Sequence, residues 1–282
     1  MQYLELGYEK GIPEFLDAAN FIFELVKENG LLAPDALIHF MNHPEYKTLE
    51  YEGVYSIPEF TKFYQESGIV RVNKKDYAYT LLKEKSGFLH ISTKTFHLQI
   101  KLCGSFFKHK SFEPQTLQKT KNGWQLHQTM KGWYYLPLKE KQETSDWWKM
   151  DHGKREMLTG PELVVEAEVT ETGNGIDLHI KTWGTKEAPF RIEAEMSGAV
   201  LLTGEQFAIN TEEGSSMLLK SGDAVFTNDN ESILIGPGFG THLYTAGRFG
   251  SEAKSEHAFT LYFTDYTEFD RTLHIRIGDI EE

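Results

Sequence analysis

The chain has a single cysteine, Cys103, so no disulfide can form within it, and neither a reducing nor an oxidising compartment is excluded. No apolar run approaches the length of a membrane span. The opening "MQYLELGYEKGIPEFL" carries acids early and lacks the basic-then-apolar order of a signal peptide. The expectation is a soluble, cytoplasmic protein with no membrane partner. Positive charge is scarce: 29 Lys and Arg face 42 Asp and Glu, a net −13 that argues against nucleic acid as a partner. Neither G-x-x-x-x-G-K-[ST] nor G-x-S-x-G occurs. "GPGFGTH", Gly236 to His242, has three glycines but follows a strand and leads into no helix, so it is no dinucleotide loop. Internal repeats and low-complexity tracts are missing as well.

What is present is aromatic and unevenly charged. Residues 101–155 hold eleven Lys and Arg against five Asp and Glu, together with Trp124, Trp133, Trp147 and Trp148, four of the five tryptophans. A base-rich, aromatic-rich zone in an acidic chain suits an anionic ligand, provided its side chains converge rather than lie on several strand faces.

The first seventy residues read as helical. "IPEFLDAANFIFELVKENG" puts Ile12, Phe15, Leu16, Ala19, Ile22, Phe23 and Val26 at helical spacing, with Pro13 suited to a first turn and Gly30 to a stop. "APDALIHFMN" repeats the pattern, and "IPEFTKFYQESG" reads as a third short helix ended by Gly68. From Ile69 onward come twelve or more short runs rich in β-branched and aromatic residues, such as "TFHLQIKL", "GIDLHIKTW" and "AFTLYFT", separated by turn signals. The fold class is therefore mainly β: a large antiparallel β-sandwich over 69–282, preceded by a short helical hairpin region over 1–68.

Three stretches carry candidate chemistry. In "SDWWKMDHGKR", Trp147 and Trp148 are expected to offer a stacking platform for sugar rings, with Asp151, His152, Lys154 and Arg155 bonding hydroxyls or carboxylates. The alternative is Trp147 in the core and Trp148 at its rim. In "GPGFGTHLYTAGRFGSE", His242 and Tyr244 are two apart and would share a strand face as an acid and a base, with Arg248 to neutralise a carboxylate. The alternative is a glycine-rich pair of turns around a core Tyr. In "YFTDYTEFDRT", Asp265, Asp270 and Arg271 read as a structural salt bridge at a corner. Cys103 reads as buried. His90, His97, His179 and His274 fall in strand runs and are expected on sheet surfaces rather than as ligands. No motif calls for a metal or a cofactor.

"GWYYLPL", "TSDWWKMDHGKR", "GIDLHIKTWG", "SILIGPGFGTHLYTAGRFGSE" and "FTLYFTDYTEFDRT" together resemble the C-terminal sandwich of bacterial heparinase II/III-like proteins, over about residues 67–277. The resemblance implies an α/α toroid followed by a sandwich (a supersandwich-like fold), with the helical start standing as the last hairpin of the toroid. It implies β-elimination at a uronic acid: Asn, His or Arg neutralises the carboxylate, Tyr or His serves as base and acid, and the sandwich supplies a histidine matching His242 or His152. Most of that toroid is not in this sequence. Three expectations follow. One is a uronate-glycan lyase, or its sandwich portion, using His242, Tyr244 and Arg248. The second is a non-catalytic sandwich that binds an anionic oligosaccharide or polysaccharide through Trp147 and Trp148, or packs on a separate toroid-bearing chain or in a homo-oligomer. The third is a structural sandwich with no ligand.

Overall fold

The computed structural model describes residues 2–30, 34–48, 58–245 and 253–279. The chain divides into two compact units, Met1–Pro58 and Glu59–Glu282.

The first unit is helical: α1 (Gln2–Lys10), α2 (Pro13–Glu28), α3 (Pro34–Asn42) and a 3-10 turn at Pro44–Thr48. Pro13 opens α2, where its missing N–H costs no intrahelical bond. At the other end the amides of Asn29 and Gly30 reach back to Leu25 and Lys27, and Gly30 takes the left-handed φ of +60° that a helix stop favours. Leu4, Ala19 and Tyr46 form its small core, with Leu16, Phe23 and Phe40 packed against them. Ile22, Leu25, Leu37, Ile38 and Met41 stay exposed.

The third helix expected over 57–68 is instead a strand, β1 (Phe60–Tyr64), and the division between units falls at Pro58 rather than Gly68. "FTKFY" is aromatic and β-branched, and a turn at Gly68 (φ +62°) folds it antiparallel onto β2 (Ile69–Asn73). Hairpin pairing overrides a helical spacing of apolar residues when such a partner follows at once.

The second unit is a sandwich of two large sheets. Numbered in chain order, the first sheet runs β1, β2, β3 (Ala78–Leu82), β4 (Gly87–Ser92), β5 (His97–Phe106), β11 (Pro189–Ser197), β17 (Phe259–Tyr266), β14 (Ser216–Leu218), with β6 (His109–Ser111) also beside β5. The second runs β13 (Phe207–Asn210), β12 (Leu201–Gly204), β15 (Ala224–Thr227), β16 (Glu231–Gly236), β18 (Asp270–Asp279), β10 (Gly175–Trp183), β9 (Met157–Thr172), β8 (Gly123–Tyr135), β7 (Thr116–Lys119). Described strand pairings are antiparallel except that of β14 with β17, and an isolated parallel bridge joins Gly240 to Thr264. Period-two alternation delivers one core between the sheets. Leu102, Ile192 and Phe263 come from the first sheet, and Leu126, Val165 and Leu178 from the second, all at most 1% exposed.

Polar contacts fasten the sheets at their rims. The Glu231 carboxylate on β16 accepts the hydroxyls of Thr93 (2.7 Å) and Thr95 and the Thr95 amide (3.0 Å), all in the β4–β5 turn. Tyr79 on β3 donates to Glu171 on β9 at 2.6 Å, and Lys74 pairs with the same carboxylate at 2.6 Å.

Candidate functional site

The tandem tryptophans belong to a long loop, residues 136–156, between the two longest strands of the second sheet. β8 and β9 pair along their length to Tyr135↔Met157, with a register shift between Lys131 and Trp133. The loop's base is closed by Leu136 N–H donating to Glu156 O (2.8 Å) and by Arg155. The Arg155 Nε–H donates to Leu136 O at 2.8 Å, and its Nη2–H to Tyr135 O at 3.1 Å. At the tip, the Asp146 carboxylate caps a 3-10 turn, accepting the Trp148 amide at 3.1 Å.

These bonds seat Trp147 between a histidine and a guanidinium. The His152 ring lies 4.0 Å from the Trp147 ring and donates its Nε2–H to Trp147 O at 2.6 Å. The Arg155 guanidinium stands 5.2 Å from the Trp147 ring and 5.5 Å from that of Tyr135, the arrangement of cation–π attraction. Trp147, His152, Arg155 and Met150 line a groove of about 590 Å³, with Glu140 and Glu143 sharing the lining. Trp147 is 53% exposed, so it is not a core residue.

The structure thus brings together three of the six binding residues expected from sequence. Trp148 is 90% exposed, and among the described residues it does not line the groove. Asp151 and Lys154 form an ion pair with each other at 3.6 Å, outside the lining.

His242 and Tyr244 do not line this groove either. Their rings lie 5.2 Å apart, but His242 is buried and fully engaged. Its Nδ1 accepts the Tyr244 amide at 3.2 Å, which places the proton on Nε2, and Nε2 faces the carbonyls of Phe190 (3.0 Å) and Asp265 (3.1 Å). The ring ties the loop after β16 to β11 and β17. Arg248 lies outside the described residues. Asp265 and Arg271 form the expected corner salt bridge at 2.8 Å, while Asp270 pairs with His179 at 2.6 Å and Lys181 at 3.4 Å.

Two clusters escape the sequence reading. One is on the face of the first sheet that points away from the core. Lys101, Glu193 and Tyr262 stand in one cross-strand row, and Cys103, Arg191 and Thr264 in the next. Lys101 bonds Glu195 at 2.9 Å, Arg191 bonds Glu193, and the Ser255 amide donates to Glu195 at 2.7 Å. All six row residues are under 9% exposed, so β11 is buried on both faces. Burial raises the Glu193 carboxyl above the usual carboxylate range against the pull of Arg191 and Lys101, and burial beside Glu193 pushes the Tyr262 hydroxyl up to about 12. Strict alternation in "RIEAEM" reads as a half-exposed strand; nothing local signals a cover. The other cluster is His39 and His43, four apart at the end of α3. Their rings are 4.8 Å apart and both stack on Tyr46. Among the described residues no group of three or more His, Cys, Asp or Glu is arranged to hold a metal ion.

The chain matches no protein-family model, and no curated protein matches it.

Proposed function

We propose that this chain is a glycan-binding β-sandwich that takes an anionic sugar in the groove at Trp147. The observation that carries the reading is the pairing of a half-exposed indole with Arg155, a guanidinium that has no carboxylate within ion-pair distance among the described residues. An indole face matches the apolar C–H face of a pyranose. The Arg155 Nη1 stays available for a carboxylate or sulfate, because the bonds of this side chain run through Nε and Nη2. Glu140, Glu143 and Thr144 add acceptors for hydroxyls.

Binding stands ahead of elimination. A lyase built on His242 needs a ring nitrogen for proton transfer, and both nitrogens are committed to backbone groups. His152 keeps an unpartnered Nδ1, but that atom is buried. The test is a calorimetric titration against a panel of uronate-containing, sulfated and neutral glycans. Binding to at least one acidic glycan is expected, and Trp147→Ala should weaken it about tenfold or more. The ultraviolet absorbance of unsaturated uronates should stay flat throughout. A rise in that absorbance would make the protein a lyase, and binding indifferent to Trp147→Ala would move the site elsewhere.

A further inference from the structure

The Trp147 groove is one end of a longer surface. Tyr135 and Trp133 are two apart on β8 and share a face, their rings 5.0 Å apart. Lys108 reaches across from the β5–β6 turn of the other sheet and places its Nζ 5.8 Å from the Trp133 ring. Glycines permit that approach. The Phe107 ring lies so close over Gly132 that a Cβ there would stand 2.4 Å from it, and a Cβ on Gly160 would stand 3.2 Å from the same ring. Lys108 opens in turn onto a second pocket of about 620 Å³, lined also by His109, Lys110, Gln115 and Gln128. Aromatic and cationic groups therefore follow one another in contact from one pocket to the other: His152, Trp147, Arg155, the adjacent rings of Tyr135 and Trp133, then Lys108.

The charges at the two ends are of one kind. Four lysines of β8 and its loop are paired: Lys131 with Glu162, Lys139 with Glu156, Lys149 with Asp146 and Lys154 with Asp151, while Lys141 has no carboxylate within ion-pair distance among the described residues. Arg155 at one end, and Lys108 and Lys110 at the other, have no carboxylate within ion-pair distance among the described residues, although Glu84 and Glu113 share the second pocket's lining. A monosaccharide would meet one end only. A ligand that repeats both its ring and its negative charge would meet both, with Tyr135 and Trp133 beneath the units between.

We infer that the ligand of this surface is an extended acidic polysaccharide chain, bound across both pockets along the ladder from Trp147 to Lys108. This rests on the glycan-binding reading and adds chain length and direction to it. Aromatic stacking with cations also suits single-stranded nucleic acid. The few, widely spaced uncompensated cations at the two ends fit a sparsely charged polymer better than one with a phosphate at every unit.

The experiment is calorimetry with size-graded oligosaccharides of widely spaced charge, hyaluronan-derived and partially methyl-esterified galacturonan-derived, from disaccharide to decasaccharide, with oligothymidylates of matched length as competitors. When one chain engages both pockets the second contact becomes intramolecular, so affinity should climb about a hundredfold with length and then level off. The exposed pair Lys108→Ala/Lys110→Ala, which leaves the folded core untouched, should remove most of that climb and spare the disaccharide. Trp147→Ala should weaken every length. Equal affinity for short and long chains, with the lysine pair silent, would overturn the extended chain while leaving the glycan reading intact. Tighter binding of the oligothymidylates would overturn the choice of polymer. Failure of every glycan to bind, at every length, would remove the glycan reading itself.

Discussion

At the scale of single residues, side chains of the same type take opposite roles according to what their backbone neighbours leave free. His152 and His242 are both histidines in loops beside aromatic residues. His242 is held by three backbone groups from three segments, whereas His152 spends one nitrogen on the turn that presents Trp147. His242→Ala removes a buried ring and strands two carbonyls and an amide. It should lower stability by about 2–3 kcal/mol in denaturant unfolding and leave glycan affinity as it was. Unchanged stability with lost affinity would return His242 to the binding machinery. The two tryptophans divide similarly. One is seated by Arg155 and His152; its neighbour projects into solvent. Their adjacency in the chain says that both are near the surface of a turn, but not which of them has a partner.

At the scale of elements, the β4–β5 turn is anchored by one carboxylate from the opposite sheet. Burial works to raise the Glu231 carboxyl, but the hydroxyls of Thr95 and Thr93 and the amides of Thr95 and Lys94 outweigh it and hold it below the usual carboxylate range. A depressed folded-state value means that the unfolded chain binds protons first. The stabilisation is therefore complete above the ordinary carboxylate range and is lost as pH falls through the folded value. Glu231→Gln should cost about 2 kcal/mol at neutral pH. The unfolding midpoints of the two proteins should converge on acidification, and a gap that stays constant to low pH would show that Glu231 contributes through packing alone. Most of the strands were legible from alternation, including β5, β10, β11, β17 and β18. β1 was not, because "IPEFTKFYQESG" satisfies a helical spacing and only the presence of β2 decides it. The runs "WQLHQTM" and "WYYLPL" read as two strands, whereas β8 is continuous from Gly123 to Tyr135 because β9 offers it a partner along its whole length.

At the scale of the whole molecule, the two units are held together internally by very different amounts of buried apolar surface. The sandwich core spans both sheets, with residues such as Phe88, Leu102, Leu178 and Phe263 fully excluded from solvent. The helical unit buries Leu4, Ala19 and Tyr46 and leaves Leu37, Ile38 and Met41 more than half exposed. Local stability follows buried contacts, so amides of α1, α2 and α3 should exchange with deuterium well before those of β5, β11 and β17. Equal protection in the two units would show that the helices gain stability from a source their own core does not supply. No described helix is long and apolar enough to cross a membrane.

The sequence by itself determined the class of the fold, because alternation with period two and turn residues between runs are local properties that pleated, half-buried strands require. It also marked "SDWWKMDHGKR" as a surface of interest, through composition alone. Only the tertiary structure decided what that surface is. The bulge in β8, the glycines that admit Phe107, and the turn that carries Lys108 over Trp133 come from both sheets, and no local pattern sets how two sheets meet. The same holds for the charges buried on β11 and for the ring nitrogens of His242. Burial and hydrogen bonding there depend on residues dozens of positions away, and the free energy of placing a polar group depends on the partners the fold brings to it.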